Sequence, residues 1–291
     1  MENSRTLYFR NDKHTFRATI SKNFSGYFIK IGGTYNCCLE IQYKPNDNTA
    51  KIIQIKSERE CGLMRFLEEG DTVPMIKASL QSIASIFPIK QFDFDDGSNI
   101  ECAPINLNET KPPRKTIKPL SLLHLSIALS GKTWYEKYFN AKINPINKDT
   151  YEKSIKTYMT AEMIPYDIFK YKYLEYEKQS IALEPYYLAA KTYPEFFSSI
   201  PKNKRCELFF NWVPTFINSY FNGINLFNNW YINIDDMPKV AIEILGSKEP
   251  ERYKGGRRNS TIKNSKRRKN ILVFSNDMNK FLNCSVSHYE T

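Results

Sequence analysis

Histidine is scarce, and the spacings that usually accompany metal or redox chemistry are missing. Only His14, His124 and His288 occur in 291 residues, widely separated and without any C-x-x-C pair. The clustered nitrogen and sulfur ligands of a structural zinc site are therefore not expected. No stretch approaches the ~20 apolar residues a membrane-spanning helix requires. No serine or cysteine sits in a recognisable nucleophile elbow, so covalent catalysis has no anchor. The opening residues MENSRTLYFRNDKH are polar and charged, and a secretory signal is not expected. In that light Cys37, Cys38, Cys61, Cys102, Cys206 and Cys284 are read as free thiols of an intracellular protein, cytoplasmic or nuclear, rather than as three disulfides. No internal repeat or heptad is visible.

Acidic residues are absent from one stretch in particular. Residues 252–269 read RYKGGRRNSTIKNSKRRK, with Arg252, Lys254, Arg257, Arg258, Lys263, Lys266, Arg267, Arg268 and Lys269 and no carboxylate. These nine charges account for all but +2 of the net +11. Such a run has no apolar face and repels itself, which favours a loop or arm. It can neutralise phosphates and release counterions, giving salt-sensitive binding to nucleic acid or another polyanion without base readout. The same composition also suits a nuclear-localisation patch, an anionic membrane surface or a merely solubilising loop. Ile271–Phe274 and Phe281-Leu282 follow it and are apolar enough to dock back, so an internal loop is expected rather than a free tail.

Apolar residues make up 41% and charged residues 25% of the chain, a globular balance. Five short β-branched and aromatic segments, TLYFR, TFRATI, GYFIKI, CCLEIQY and AKIIQI, alternate with turns at Gly32-Gly33 and at Pro45–Asn48. They predict an antiparallel meander over residues 5–56. Within it Cys37 and Cys38 point to opposite faces. Met75, Ile76, Ser79, Leu80, Ile83, Ala84 and Phe87 recur at helical spacing, with Thr72 as cap and Pro74 in the first turn. IKQFDF (89–94) alternates as a strand, and prolines make 104–118 a surface excursion. LSLLHLSIALS (120–130) is an apolar helix that Gly131 can end, with His124 as a satisfied core residue. Asp93, Asp95 and Asp96 suggest a divalent-metal site or, in preference, a turn that exposes its acids. From about 145 onward aromatics are dense, and Pro165, Pro185, Pro194, Pro201 and Pro214 cut the chain into short helices. The fold class expected is α+β: residues 1–144 as a sheet-plus-helix domain, then 145–291 as an aromatic-rich helical region bearing the basic loop 252–269.

The order strand–turn–helix, strand, helix, then Gly131–Ala141 (GKTWYEKYFNA) resembles the core of the GNAT superfamily of acyl-CoA N-acyltransferases over about residues 26–143. The stretch Lys132–Lys137 (KTWYEK) is also similar to divergent proteins of large DNA viruses, which implies a virion or a viral factory as the setting. The resemblance implies a strand that splays from its neighbour, with acyl-CoA in the gap. It implies that Gly70, Asp71 and Thr72 form the pyrophosphate turn, that Tyr135 or Tyr138 protonates the leaving thiolate, and that Glu58 or Glu60 is the base. The turn departs from the family pattern, because Gly70 stands alone among Glu68, Glu69 and Asp71, whose charges would repel a pyrophosphate. The function expected is a non-catalytic binding protein on a degenerate acyltransferase-like scaffold, contacting nucleic acid or another polyanion, with no cofactor and no metal. The alternatives are an active acetyl-CoA-dependent N-acyltransferase and a structural assembly subunit that uses the aromatic half as its interface.

Overall fold

The computed structural model describes residues 4–32, 37–56, 61–62, 67–68, 70–102, 119–248 and 286–288. The basic run 252–269, the proline-rich excursion 104–118, the apolar residues 271–274 and 281–282, and both Glu58 and Glu60 lie outside the described residues. The chain is α+β. Strands β1 (Ser4–Arg10), β2 (Thr15–Asn23), β3 (Gly26–Gly32), β4 (Cys37–Lys44) and β5 (Thr49–Ile55) form the antiparallel meander expected from their alternation. Each buries one side chain in two along much of its length, with Phe9, Phe16, Ile29, Leu39 and Ile41 fully inside. The Pro45–Asn48 turn closes with Asp47 N–H donating to the Lys44 carbonyl at 3.3 Å. Asn48 takes the left-handed conformation there, at φ 51°.

Helix α1 (Thr72–Ala84) crosses over the sheet and returns the chain to β6 (Gln91–Phe94), which pairs parallel with β5 from Thr49↔Gln91 to Ile52↔Phe94. That ladder stops while β5 continues to Ile55, so the two strands part. A parallel neighbour needs such a crossover, whereas the meander needs only tight turns. The chain then enters a second, three-stranded sheet made of β7 (Ser98–Glu101), β8 (Pro119–Ser121) and, from far along the sequence, β12 (Val286–His288), in the order β12-β7-β8.

Helix α2 (Leu122–Ser130) is apolar on every side and almost wholly buried, capped by the Ser121 side chain. It ends at Gly131, whose φ of 66° favours glycine. Helix α3 (Trp134–Phe139) starts with a complete capping box between Thr133 and Glu136. Beyond the short strand β9 (Lys142–Ile143) come α4 (Lys148–Thr160), α5 (Tyr166–Tyr173), α6 (Glu177–Ala189), α7 (Tyr193–Ser199), α8 (Lys202–Phe209) and α9 (Val213–Asn218). Pro165, Pro194, Pro201 and Pro214 stand at helix starts as expected. Pro185 does not cut the chain: it lies inside α6, on an exposed face where the carbonyl it frees can meet water. Rings from these helices interlock. Phe216, for example, meets Trp212 at 5.9 Å, Tyr193 at 4.8 Å and Tyr173 at 5.1 Å between centroids.

The boundary at 144/145 does not separate two bodies. Strand β10 (Trp230–Asn233) inserts antiparallel between β6 and β9, and β11 (Glu243–Gly246) pairs with β1. One nine-stranded sheet, ordered β11-β1-β2-β3-β4-β5-β6-β10-β9, therefore uses both halves of the chain. A single apolar core runs from Leu7 to Met237.

The expectation of free thiols fails for four cysteines. Cys38 is bonded to Cys61, and Cys102 to Cys206, with Cα separations of 5.7 and 5.4 Å. Sequence spacing could not show this, because the second pair is brought together only when α8 packs beside the end of β7. Cys37 keeps its thiol, on the opposite face from buried Cys38. Burial, then the nearby Glu40 charge, pushes that thiol above its ordinary range.

Candidate functional site

The residues singled out in the sequence fall into two neighbourhoods, one at the start of α1 and one where β6 meets α3. At the start of α1, Gly70 turns the chain with φ 105°. Asp71 follows, its side chain only 3% exposed, and it points inward rather than toward solvent. It accepts from His14 Nε2 at 2.8 Å, from Lys13 Nζ at 3.1 Å and from the Glu68 N–H at 2.9 Å. Asn11 sets up this arrangement by accepting from the N–H groups of Lys13 and His14 at 3.0 and 2.8 Å, which turns His14 toward the core. Burial pushes the Asp71 carboxyl up, but the Glu68 N–H, His14 and Lys13 together hold it below its ordinary range. Asp71 is thus a structural anchor that ties α1 to the β1–β2 turn. The pyrophosphate role carried by the resemblance does not fit it, since its oxygens are already satisfied inside the protein. Thr72 is the first helical residue and is buried. Asp71, not Thr72, is the N-cap.

The second neighbourhood joins the end of β6 to α3. Tyr135 is 1% exposed and packs on Phe94 and Trp134, with centroids 4.5 and 4.9 Å apart. Its hydroxyl lies 3.4 Å from Ser98 Oγ, which donates to Asp96 Oδ1 at 2.6 Å. Burial, reinforced by the Asp96 charge, holds the Tyr135 phenol well above its usual range. A phenol so enclosed and so firmly protonated does not reach a bound ligand, and the acid role does not fit it. Tyr138 is partly buried, its ring tilted against Trp134 at 5.4 Å between centroids, with Lys137 Nζ 5.4 Å from it.

Asp96 itself corrects the reading of an exposed acidic turn. Asp93 and Asp95 line an open cleft of about 480 Å³ with Lys51, Asn144 and Tyr231, and Lys51 pairs with Asp95 at 2.9 Å. Asp96 is buried instead, at 1% exposure, and its N–H donates to the Phe227 carbonyl at 2.6 Å. Burial is the main cause that raises its carboxyl to about 6, with repulsion from Glu136 adding to it. Glu136 is also pushed up by burial, while accepting from the Thr133 N–H at 2.6 Å and the Tyr151 hydroxyl at 2.7 Å. Among the described residues no group of three His, Cys, Asp or Glu side chains could hold a metal ion. His124 is the satisfied core histidine expected. Its Nδ1 meets Ser121 Oγ at 2.7 Å, its Nε2 meets Asn218 Oδ1 at 3.0 Å, and burial lowers it to about 4.

Between the two neighbourhoods, β12 runs antiparallel to β7 from Val286↔Ile100 to His288↔Ser98 and lies beside β5 without a ladder to it. The chain's own late strand therefore lies close to the place where β5 and β6 part. Sequence reasoning missed both this strand and the His14–Asp71 pair. The NDKH turn could have signalled the inward histidine, but nothing local points to a partner 57 residues away. No helix among the described residues is long and apolar enough to cross a membrane. Comparison of the chain with family models, with curated proteins and with solved structures finds no match.

Proposed function

We propose that this chain is a non-catalytic binding protein on a degenerate acyltransferase-like scaffold, which contacts nucleic acid or another polyanion through the basic residues 252–269. One observation supports the non-catalytic half of the reading: β12 runs along β7 and lies beside β5, which is where the resemblance would put an acyl-CoA. The inward-turned Asp71 and the enclosed Tyr135 support it, because neither presents a group to a ligand. The polyanion half rests on nine uncompensated charges that fall, in sequence, between β11 and β12. Nine positive charges clustered in the sequence attract phosphates over a Debye length of about 8 Å at physiological salt.

Two titrations test the reading. Calorimetry with acetyl-CoA, against coenzyme A, gives no saturable heat; micromolar binding would move the active N-acyltransferase to first place. Fluorescence anisotropy with a labelled DNA duplex gives affinity that falls steeply with salt. The triple variant R267Q/R268Q/K269Q keeps its circular dichroism spectrum and lowers the slope of log K against log salt by about 2–3. Unchanged affinity in that variant would sink the polyanion role. The assembly reading has a specific observation of its own, the exposed Ile168, Tyr171, Ile181 and Leu188 on α5 and α6. It requires a stable oligomer in sedimentation velocity.

A further inference from the structure

We infer that Asn23 is an N-glycosylation site, and that the chain receives the sugar in the same oxidising compartment in which its disulfides form. Asn23-Phe24-Ser25 is an Asn-x-Ser acceptor triplet with no proline in the middle. It is the only such triplet among the described residues, since those at Asn108, Asn259 and Asn283 lie outside them. The fold places it where a bulky group is tolerated. Asn23 ends β2 and pairs with Gly26 of β3, so Phe24 and Ser25 form the two-residue tip of a hairpin. Asn23, Phe24 and Ser25 are all exposed, and the Phe24 side chain at the centre of the triplet is fully open to solvent. A branched sugar attached at this tip extends into water and displaces nothing from the core.

The side chains of the triplet stand in the relation the reaction uses. Asn23 Oδ1 accepts from the Ser25 hydroxyl and from the Ser25 N–H, both at 2.9 Å. Donation to the amide oxygen draws electron density from the nitrogen and makes an Nδ2 proton easier to remove. Nδ2 itself donates to no described residue. The co-substrate is an oligosaccharide carried on a polyprenyl diphosphate and presented by a membrane-bound transferase. A bond forms between Asn23 Nδ2 and the anomeric carbon of the first sugar, and the bond from that carbon to the diphosphate oxygen breaks. The polyprenyl diphosphate leaves with the electron pair, and one Nδ2 proton passes to a base of the transferase. A separate observation sets the compartment. Cys38–Cys61 and Cys102–Cys206 are disulfides, and such bonds form and persist along the secretory route rather than in a reducing cytosol. The same route holds the transferase. The triplet and the disulfides rest on different residues and different chemistry, and both point to one compartment.

The test is site-resolved mass spectrometry of the full chain, purified without reductant from eukaryotic cells. The expected result is an N-linked glycan on the peptide containing Asn23. Enzymatic release of that glycan in heavy-oxygen water then leaves the isotope at position 23. Ser25→Ala abolishes the modification although Asn23 is still present, and Ser25→Thr, which keeps the hydroxyl, retains it. Both variants keep the wild-type circular dichroism spectrum, which separates loss of the sugar from loss of the fold. Thiols are counted on the same denatured samples. Bare Asn23 in protein whose four bridged cysteines are oxidised overturns the site, and bare Asn23 with those thiols free overturns the compartment as well. A glycan at Asn108, Asn259 or Asn283 with Asn23 bare overturns the choice of the hairpin tip. Failure here leaves the polyanion titration standing, because that reads residues 252–269 and not the hairpin.

Discussion

At the scale of single residues the fold uses burial to change what carboxylates do. Asp71 and Asp96 are both almost fully enclosed, yet their acidities move in opposite directions. Asp71 accepts hydrogen bonds from the Glu68 N–H, His14 and Lys13, and together these outweigh desolvation. Asp96 meets only the Ser98 hydroxyl and N–H, and desolvation wins. The sign of the pH effect follows. A group whose folded value is raised to about 6 from an unfolded value near 3.9 binds more protons in the native state across that interval. Its contribution is fully present below about pH 4 and is lost as pH rises through 6, by an amount on the order of 3 kcal/mol. Asp96→Asn keeps the oxygen that Ser98 donates to and removes the charge. Urea unfolding between pH 4 and 6.5 is expected to lose most of its pH slope in this variant, with stability at pH 7 equal to or above wild type. A slope unchanged from wild type would show that Asp96 titrates as an ordinary exposed acid.

At the scale of elements, caps and prolines explain where helices begin better than propensity does. Thr133 and Glu136 satisfy each other's backbone N–H groups at the start of α3, at 3.1 and 2.6 Å. Glu136 also accepts from Tyr151 of α4, so the cap of one helix orients the next. Thr133→Ala is expected to cost about 1 kcal/mol or more in chemical unfolding, toward the upper end of the range for N-caps because the site is buried. Thr133→Ser, which retains the oxygen, recovers most of that loss. Much at this scale was legible in advance. Alternation marked β1–β5, helical spacing marked α1 and α2, and Gly131 marked the end of α2. The strands β7, β10, β11 and β12 were not legible, because three or four residues carry too little periodicity to declare a strand without its partner.

At the scale of the whole molecule, Cys102–Cys206 and β10 bind the early and late parts of the chain into one unit, while Cys38–Cys61 closes a loop within the early part. Cys102–Cys206 closes a separation of 104 residues, and Cys38–Cys61 one of 23. In the chain-entropy account such cross-links contribute about 4–5 and about 3 kcal/mol respectively. Denatured but unreduced protein is expected to withhold these four cysteines from a thiol reagent and to yield them after reduction. The variant C102A/C206A is expected to lower the urea midpoint more than C38A/C61A does. Equal thiol counts before and after reduction would return the cysteines to the free state that the composition suggests.

The sequence by itself determined the local periodicities: an alternating meander, an amphipathic crossover helix, an apolar capped helix, proline-started short helices, and one block of positive charge. These are decided by side-chain spacing along a few residues, which physics reads without knowing the rest of the chain. Only the tertiary structure decided that β10 enters the sheet between β6 and β9, that His14 meets Asp71, that Cys102 meets Cys206, and that β12 pairs with β7. Each of these pairs residues tens to hundreds of positions apart. Their meeting depends on which buried surfaces pack together, and that selection is made by the whole core at once.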